Sequence, residues 1–223
     1  MPVKLTPRLR RMVVLCCALL VAGCASVPSQ ECTCLTSSAR KCETALDSSD
    51  PKAHVHVYFM HGLDPLDWAN INSVVQFCRD MGYHHVKLVQ HHEGDAVIEH
   101  IRCARANDAQ SRFLIFGFSA GAASTRRVVR LLHERHGIDI DVVLYPGGII
   151  LLDNSYSRPE YVGKIIHILD GGRIIPGVKL TGAENHRFND VWHFGTPTHP
   201  ETLAILQREL ARLSELTPSS QVP

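Results

Sequence analysis

No charge of one sign dominates this chain: 23 basic and 22 acidic side chains leave a formal net charge of +1. A balance this even argues against the broad electrostatic footprint that binding to nucleic acid or to an anionic membrane surface requires. No internal repeat is visible, so no repeat architecture is expected. The unbroken apolar run from Met12 to Ala22 falls short of the roughly 20 residues that a spanning helix needs. At 223 residues the chain is sized for one folded core rather than two.

What is present begins at the N-terminus. Lys4, Arg8, Arg10 and Arg11 precede the apolar run, which is the layout of a signal peptide. The run ends in Leu20-Val21-Ala22-Gly23-Cys24, which resembles the bacterial lipobox. That resemblance implies that Cys24 is lipid-modified and becomes the first mature residue; the other reading is an ordinary signal peptide with a chance cysteine after Gly23. Ala25 stands where lipoproteins kept in the inner membrane carry an aspartate, so the resemblance points to a lipid anchor in the outer membrane of the bacterial cell envelope. The expected division is therefore residues 1–23 as lipoprotein signal peptide, 24–52 as a polar, flexible tether, 53–216 as the folded domain and 217–223 as a disordered tail.

Eight cysteines are present, and five remain once Cys16, Cys17 and Cys24 are set aside. In an exported protein disulfides can form and persist. Cys78 and Cys103 fall on successive expected helices and are candidates for a bridge, while Cys32, Cys34 and Cys42 lie in the tether. Five thiols leave at least one unpaired within a monomer. Cys32-Thr33-Cys34 lacks further ligands at zinc-binding spacing.

From Ala53 the chain alternates short β-branched or aromatic runs with amphipathic segments, a pattern that predicts a parallel sheet covered on both faces. Strands are expected at His54 to Met60, Val86 to Val89, Arg112 to Phe116, Val142 to Tyr145 and Ile165 to Leu169. Helical spacing joins Trp68, Ile71, Val74, Val75, Cys78 and Met81, then Val97, Ile98, Ile101 and Ala104, then Val128, Val129, Leu131 and Leu132. A weak strand near Val178 to Thr181 precedes a loop expected to hold His186, His193 and His199. The last helix aligns Leu203, Leu206, Leu210 and Leu213.

Gly117-Phe118-Ser119-Ala120-Gly121 matches GxSxG between an apolar strand and a helix, the context that makes the motif informative. A serine on so sharp a turn projects its hydroxyl from the sheet edge, and the small residues around it let neighbouring backbone approach. The helix behind it aims its first amides at developing negative charge, so the N–H of Ala120 is the natural first oxyanion donor.

Through GFSAG, the earlier Met60-His61-Gly62-Leu63 and the order of elements, the chain resembles the α/β-hydrolase superfamily over roughly Ala53 to Leu213. The resemblance implies a three-layer α/β/α sandwich with a mostly parallel sheet, a Ser-acid-His chain order, and the Leu63 N–H as second oxyanion donor. His61 is then support for the loop, with substrate contact the other reading. Asp170, directly after the strand ending at Leu169, stands where the superfamily places its acid; a turn-capping role is its alternative, and Asp190 and Asp153 are reserves. For the base we favour His193, flanked by Val191, Trp192 and Phe194, with His199 and His186 as alternatives; Thr198 or His199 is positioned to cap the last helix.

The implied chemistry is hydrolysis of an ester or related acyl bond of a small-molecule or lipid substrate, needing no metal or organic cofactor. His84, His85, His91, His92, Glu93 and Asp95 read as a solvated loop rather than ligands, because adjacent strand residues point to opposite faces. Two departures from the superfamily, a short connection after Tyr145 that leaves little room for a lid domain and the missing early antiparallel strands, keep a second class open: a catalytically inactive, envelope-anchored binding or scaffolding protein.

Overall fold

Runs rich in Val, Ile, Leu and Phe with no polar alternation are stable as strands only where both faces are covered. In the computed structural model, which describes residues 49–64, 66–147, 159, 161–171 and 178–217, these runs form such strands. The elements in chain order are β1 (Val55–His61), α1 (Ile71–Asp80), β2 (His85–Gln90), α2 (Gly94–Asn107), β3 (Arg112–Gly117), α3 (Ala120–His136), β4 (Ile140–Pro146), β5 (Val162–Leu169), β6 (Glu184–Arg187) and α4 (Pro200–Glu215). The six strands make one sheet in the order β2-β1-β3-β4-β5-β6, and every neighbouring pair is parallel.

Side chains alternate between two cores. Val57 and Phe59 of β1, Leu114 and Phe116 of β3 and Leu144 of β4 pack with Val74 and Cys78 of α1 and Leu206 and Leu210 of α4. Tyr58, Met60, Phe113, Ile115 and Tyr145 pack on the other face with Val97 and Ile101 of α2 and Val128 and Leu132 of α3. The result is an α/β/α sandwich. After β2 the chain crosses back over β1 to place β3, so the order reverses between β1 and β3. In open parallel sheets ligand sites form beyond the carboxyl ends of strands at such a point.

The two-faced core decides the cysteine question. Cys78 belongs to the first core, whereas Cys103 lies on α2, which covers the opposite face, and its Sγ–H donates to Glu99 at 3.3 Å. The sheet lies between them, so this candidate pair is not bridged. The other cysteines, the signal segment with Cys24 and most of the tether lie outside the described residues, as does Asp153.

Two boundaries differ from expectation. Ordered structure already includes a 3-10 turn at Pro51–His54, capped by Asp50, with Lys52 Nζ donating to the Met81 carbonyl at 2.8 Å. The last strand is not Val178 to Thr181 but Glu184–Arg187, so His186 sits on a strand rather than in a loop. Leu180 is buried, and Asn185 fixes the turn before β6 by accepting from Leu180 N–H at 2.9 Å and donating to the Leu180 and Ala183 carbonyls. Being polar, β6 suits a sheet edge. Among the described residues no helix is long and apolar enough to cross a membrane.

At the opposite end of the sheet from the carboxyl termini, His56 of β1 stacks on His85 of β2 at 4.4 Å, and burial, with that neighbour, pushes the His56 imidazole down to about 3. The folded state therefore keeps it neutral where the unfolded chain takes up a proton, so stability falls as pH drops from about 6.5 towards 3. Between pH 7 and 5 the expected loss from this group is about 2 kcal/mol. Urea unfolding at the two pH values should show that slope reduced by a comparable amount in His56→Gln.

Candidate active site

β3 runs out of the core at Gly117, and α3 begins at Ala120, leaving two residues to reverse direction. Ser119 carries that reversal at φ 53°, ψ −121°, a conformation non-glycine residues rarely adopt. Three glycines make it sterically accessible. A Cβ on Gly62 would lie 2.7 Å from both the Phe118 carbonyl oxygen and Ser119 Cβ; one on Gly117 would meet Thr125 Oγ1 at 2.6 Å; one on Gly121 would run into the Met60 carbonyl. The turn is thus packed directly on the end of β1, where Phe118 N–H donates to Met60 O at 3.1 Å.

Both expected oxyanion donors belong to this junction. Ala120 opens α3, so its amide has no carbonyl one helical turn back to bond, and its nitrogen would lie 2.9 Å from a Cβ on Gly62, the residue before Leu63. Neither the Ala120 nor the Leu63 N–H is used in a backbone hydrogen bond among the described residues. His61 is buried, and its Nδ1 lies 2.9 Å from the Gly62 carbonyl, the contact of a residue that supports the loop.

His193 opens a 3-10 turn, His193–Gly195, and is only 3% exposed. Its ring lies 5.1 Å from that of Phe118, the residue before Ser119. Thr196 Oγ1 donates to the His193 carbonyl at 2.8 Å, and Thr202 of α4 donates to the Thr196 carbonyl at 2.6 Å, so the turn is fastened to the last helix. Room for the imidazole comes from Gly147, at φ 59°, where a Cβ would lie 2.9 Å from His193 Nδ1. The Nε2 atom is buried and has no hydrogen-bond partner among the described residues. Burial holds this imidazole below the usual histidine range, against opposing pulls from the Asp170 and Asp64 carboxylates. At neutral pH it is an uncharged base.

Asp170 follows β5 directly and is 4% exposed. The strand end is stitched to the segment leading to His193: Gly171 N–H donates to Val191 O at 3.2 Å, and Phe188 N–H to Leu169 O at 2.9 Å. The alternatives are placed differently. His186 lies on edge strand β6 and pairs with Glu184 at 2.7 Å. His199 caps α4, accepting from Glu201 N–H at 3.3 Å, and stacks on Phe188 at 4.3 Å. Its neighbour Asp190 has a side chain that is 77% exposed. Only His193, of the three histidines, is buried against the serine turn.

No protein-family model matches the chain, and no curated protein matches it. Among solved structures it is similar to one from Pectobacterium atrosepticum, provisionally named a YdeN-like hydrolase. That likeness has 14% sequence identity and a TM-score of 0.49, over 76% of this chain and 96% of that one.

The sequence reading missed Asp64 and Gly147 as site residues, and it placed Trp68 on the first helix, whereas Trp68 lies in the turn before that helix begins at Ile71. Asp64 accepts from Trp68 N–H at 3.0 Å and Ala69 N–H at 2.7 Å, which fixes its carboxylate within electrostatic reach of His193. With His61 and Asp67 it also forms a group whose ligand atoms lie within 4.8 Å of one another, the set that could hold a metal ion. None of His84, His85, His91, His92, Glu93 or Asp95 belongs to such a group among the described residues.

Proposed function

We propose that the chain is a serine hydrolase acting on an ester or related acyl bond. The observation that carries this reading is the strained Ser119 turn, with a buried, uncharged imidazole packed beside it. His193 Nε2 takes the Ser119 hydroxyl proton as Oγ attacks the substrate carbonyl carbon, and the Ala120 and Leu63 amides stabilise the oxyanion. Collapse of the tetrahedral intermediate breaks the bond to the leaving oxygen, which takes the proton from His193. Water, deprotonated by His193, then attacks the acyl-enzyme and releases the acid and the free serine. Asp170 fits the orienting carboxylate, holding the imidazolium in place as it forms.

The test is covalent labelling of the native chain by a fluorophosphonate. Labelling should map to Ser119 and should be complete at neutral pH, falling only below the ordinary histidine range near 6.5, because burial lowers the His193 pKa. Folded protein that takes no label would return the chain to the class of binding proteins with a hydrolase-like fold.

The chain is further proposed to be held at the bacterial cell envelope, at the outer membrane, by a lipid on Cys24. Cys24→Ser should then move the protein from the membrane fraction to the soluble fraction; a variant that stays with the membrane would remove Cys24 as the anchor.

A further inference from the structure

Of the six large apolar side chains exposed on the described surface, four fall on two loops beside Ser119, while Val178 and Leu216 lie elsewhere. Leu63 is 47% exposed, Leu66 63%, Trp68 53% and Trp192 43%. The first three lie on the loop after β1 that carries the oxyanion amide, and Trp192 immediately precedes His193. The two loops meet through their rings: Trp68 lies 5.7 Å from Trp192 and 5.3 Å from Phe194, and Trp192 lies 5.1 Å from Phe194. Phe194 in turn contacts the His193 ring at 5.1 Å and the Phe118 ring at 5.9 Å. A continuous aromatic path therefore leads from solvent to the residues flanking Ser119.

We infer that this path receives a long apolar group of the ester, so that the substrate class is an ester with an aliphatic or aromatic chain rather than a small polar one. The inference rests on the hydrolase reading and specifies its substrate. Exposed Trp faces gain by being covered, and an alkyl chain laid on them leaves water along its length. The geometry fits a chain on either side of the scissile bond: the leaving oxygen must reach His193, whose neighbours are Trp192 and Phe194, while the carbonyl must reach the amide of Leu63, on the loop of Trp68. Each methylene taken from water should raise kcat/KM by up to about fourfold until the chain passes Trp68.

The experiment uses the full chain and two substrate series below their micelle concentrations. p-Nitrophenyl acetate, butyrate and octanoate vary the acyl side; ethyl, butyl and octyl acetate vary the alcohol side. One series should show kcat/KM rising with length, which identifies the side. In that series the ratio of longest to shortest substrate should fall about tenfold or more in Trp68→Ala and recover in Trp68→Phe. Turnover that is flat with length in both series, a ratio unmoved by Trp68→Ala, or labelled Ser119 with no turnover of either series overturns the inference and leaves the hydrolase reading standing. Absence of both labelling and turnover removes the hydrolase reading, and this one with it.

Discussion

Ser119→Ala is expected to lower kcat/KM for a p-nitrophenyl ester by about 10⁴-fold or more, with thermal unfolding nearly unchanged. Alanine at φ 53° bears the same backbone strain as serine, and the glycines that make the turn possible are untouched, so the stability change should stay within about 0.5 kcal/mol. His193→Ala should cost a similar factor, because an unassisted hydroxyl is a poor nucleophile at neutral pH. The double variant should then be hardly worse than either single one, since the two groups act as a unit. Losses that multiply would instead mean that His193 acts independently of Ser119, and the proposed mechanism would fall. The same assay ranks the carboxylates: Asp170→Asn should cost more than Asp64→Asn, and the reverse order would assign the orienting role to Asp64.

How much of this was legible in the sequence depends on where each signal comes from. The apolar runs of β1, β3, β4 and β5 are buried on both faces, so each announces a strand with no knowledge of its neighbours, and the 3.6-residue spacing of α1 to α4 is equally self-contained. Strand β6 has no such signal. Its four residues, Glu-Asn-His-Arg, become a strand because β5 offers a free edge and Asn185 ties down the preceding turn, both of which depend on contacts made only in the fold.

The site divides in the same way. GFSAG carries its own geometric logic, and Ser119 adopts the positive φ that the motif implies. Residue type alone does not choose among the three histidines, and the sequence favoured His193 only through its apolar flanks, Val191, Trp192 and Phe194. Burial separates them, and burial depends on Gly147 and Phe118, which are remote in sequence from His193. Asp64 escaped notice for the same reason: its proximity to His193 comes from the packing of two loops about 130 residues apart.

Among the described glycines, Gly121→Ala is expected to be the most destabilising replacement, at about 3 kcal/mol, because there is no soft neighbour to yield. The added Cβ would collide with the carbonyl of Met60 and would lie 3.3 Å from the His61 carbonyl carbon. Met60 is held in β1, between β2 and β3, and its carbonyl accepts from Phe118 N–H. Relief therefore requires α3 to lift from the sheet, which opens the contact of Thr125 Oγ1 with Met60 Sδ, now 3.2 Å, and loosens Val128 and Val129 in the second core. Gly137→Ala provides the comparison. Gly137 has φ +61° with nothing within 4 Å of an added Cβ, so its cost is left-handed backbone alone, about 1 kcal/mol. Urea unfolding of both variants separates the two effects, and equal costs would mean that α3 does not sit this tightly on β1. Since the same lift carries Ser119 and the Ala120 amide away from Gly62, any folded Gly121→Ala protein should also lose esterase activity out of proportion to its loss of stability.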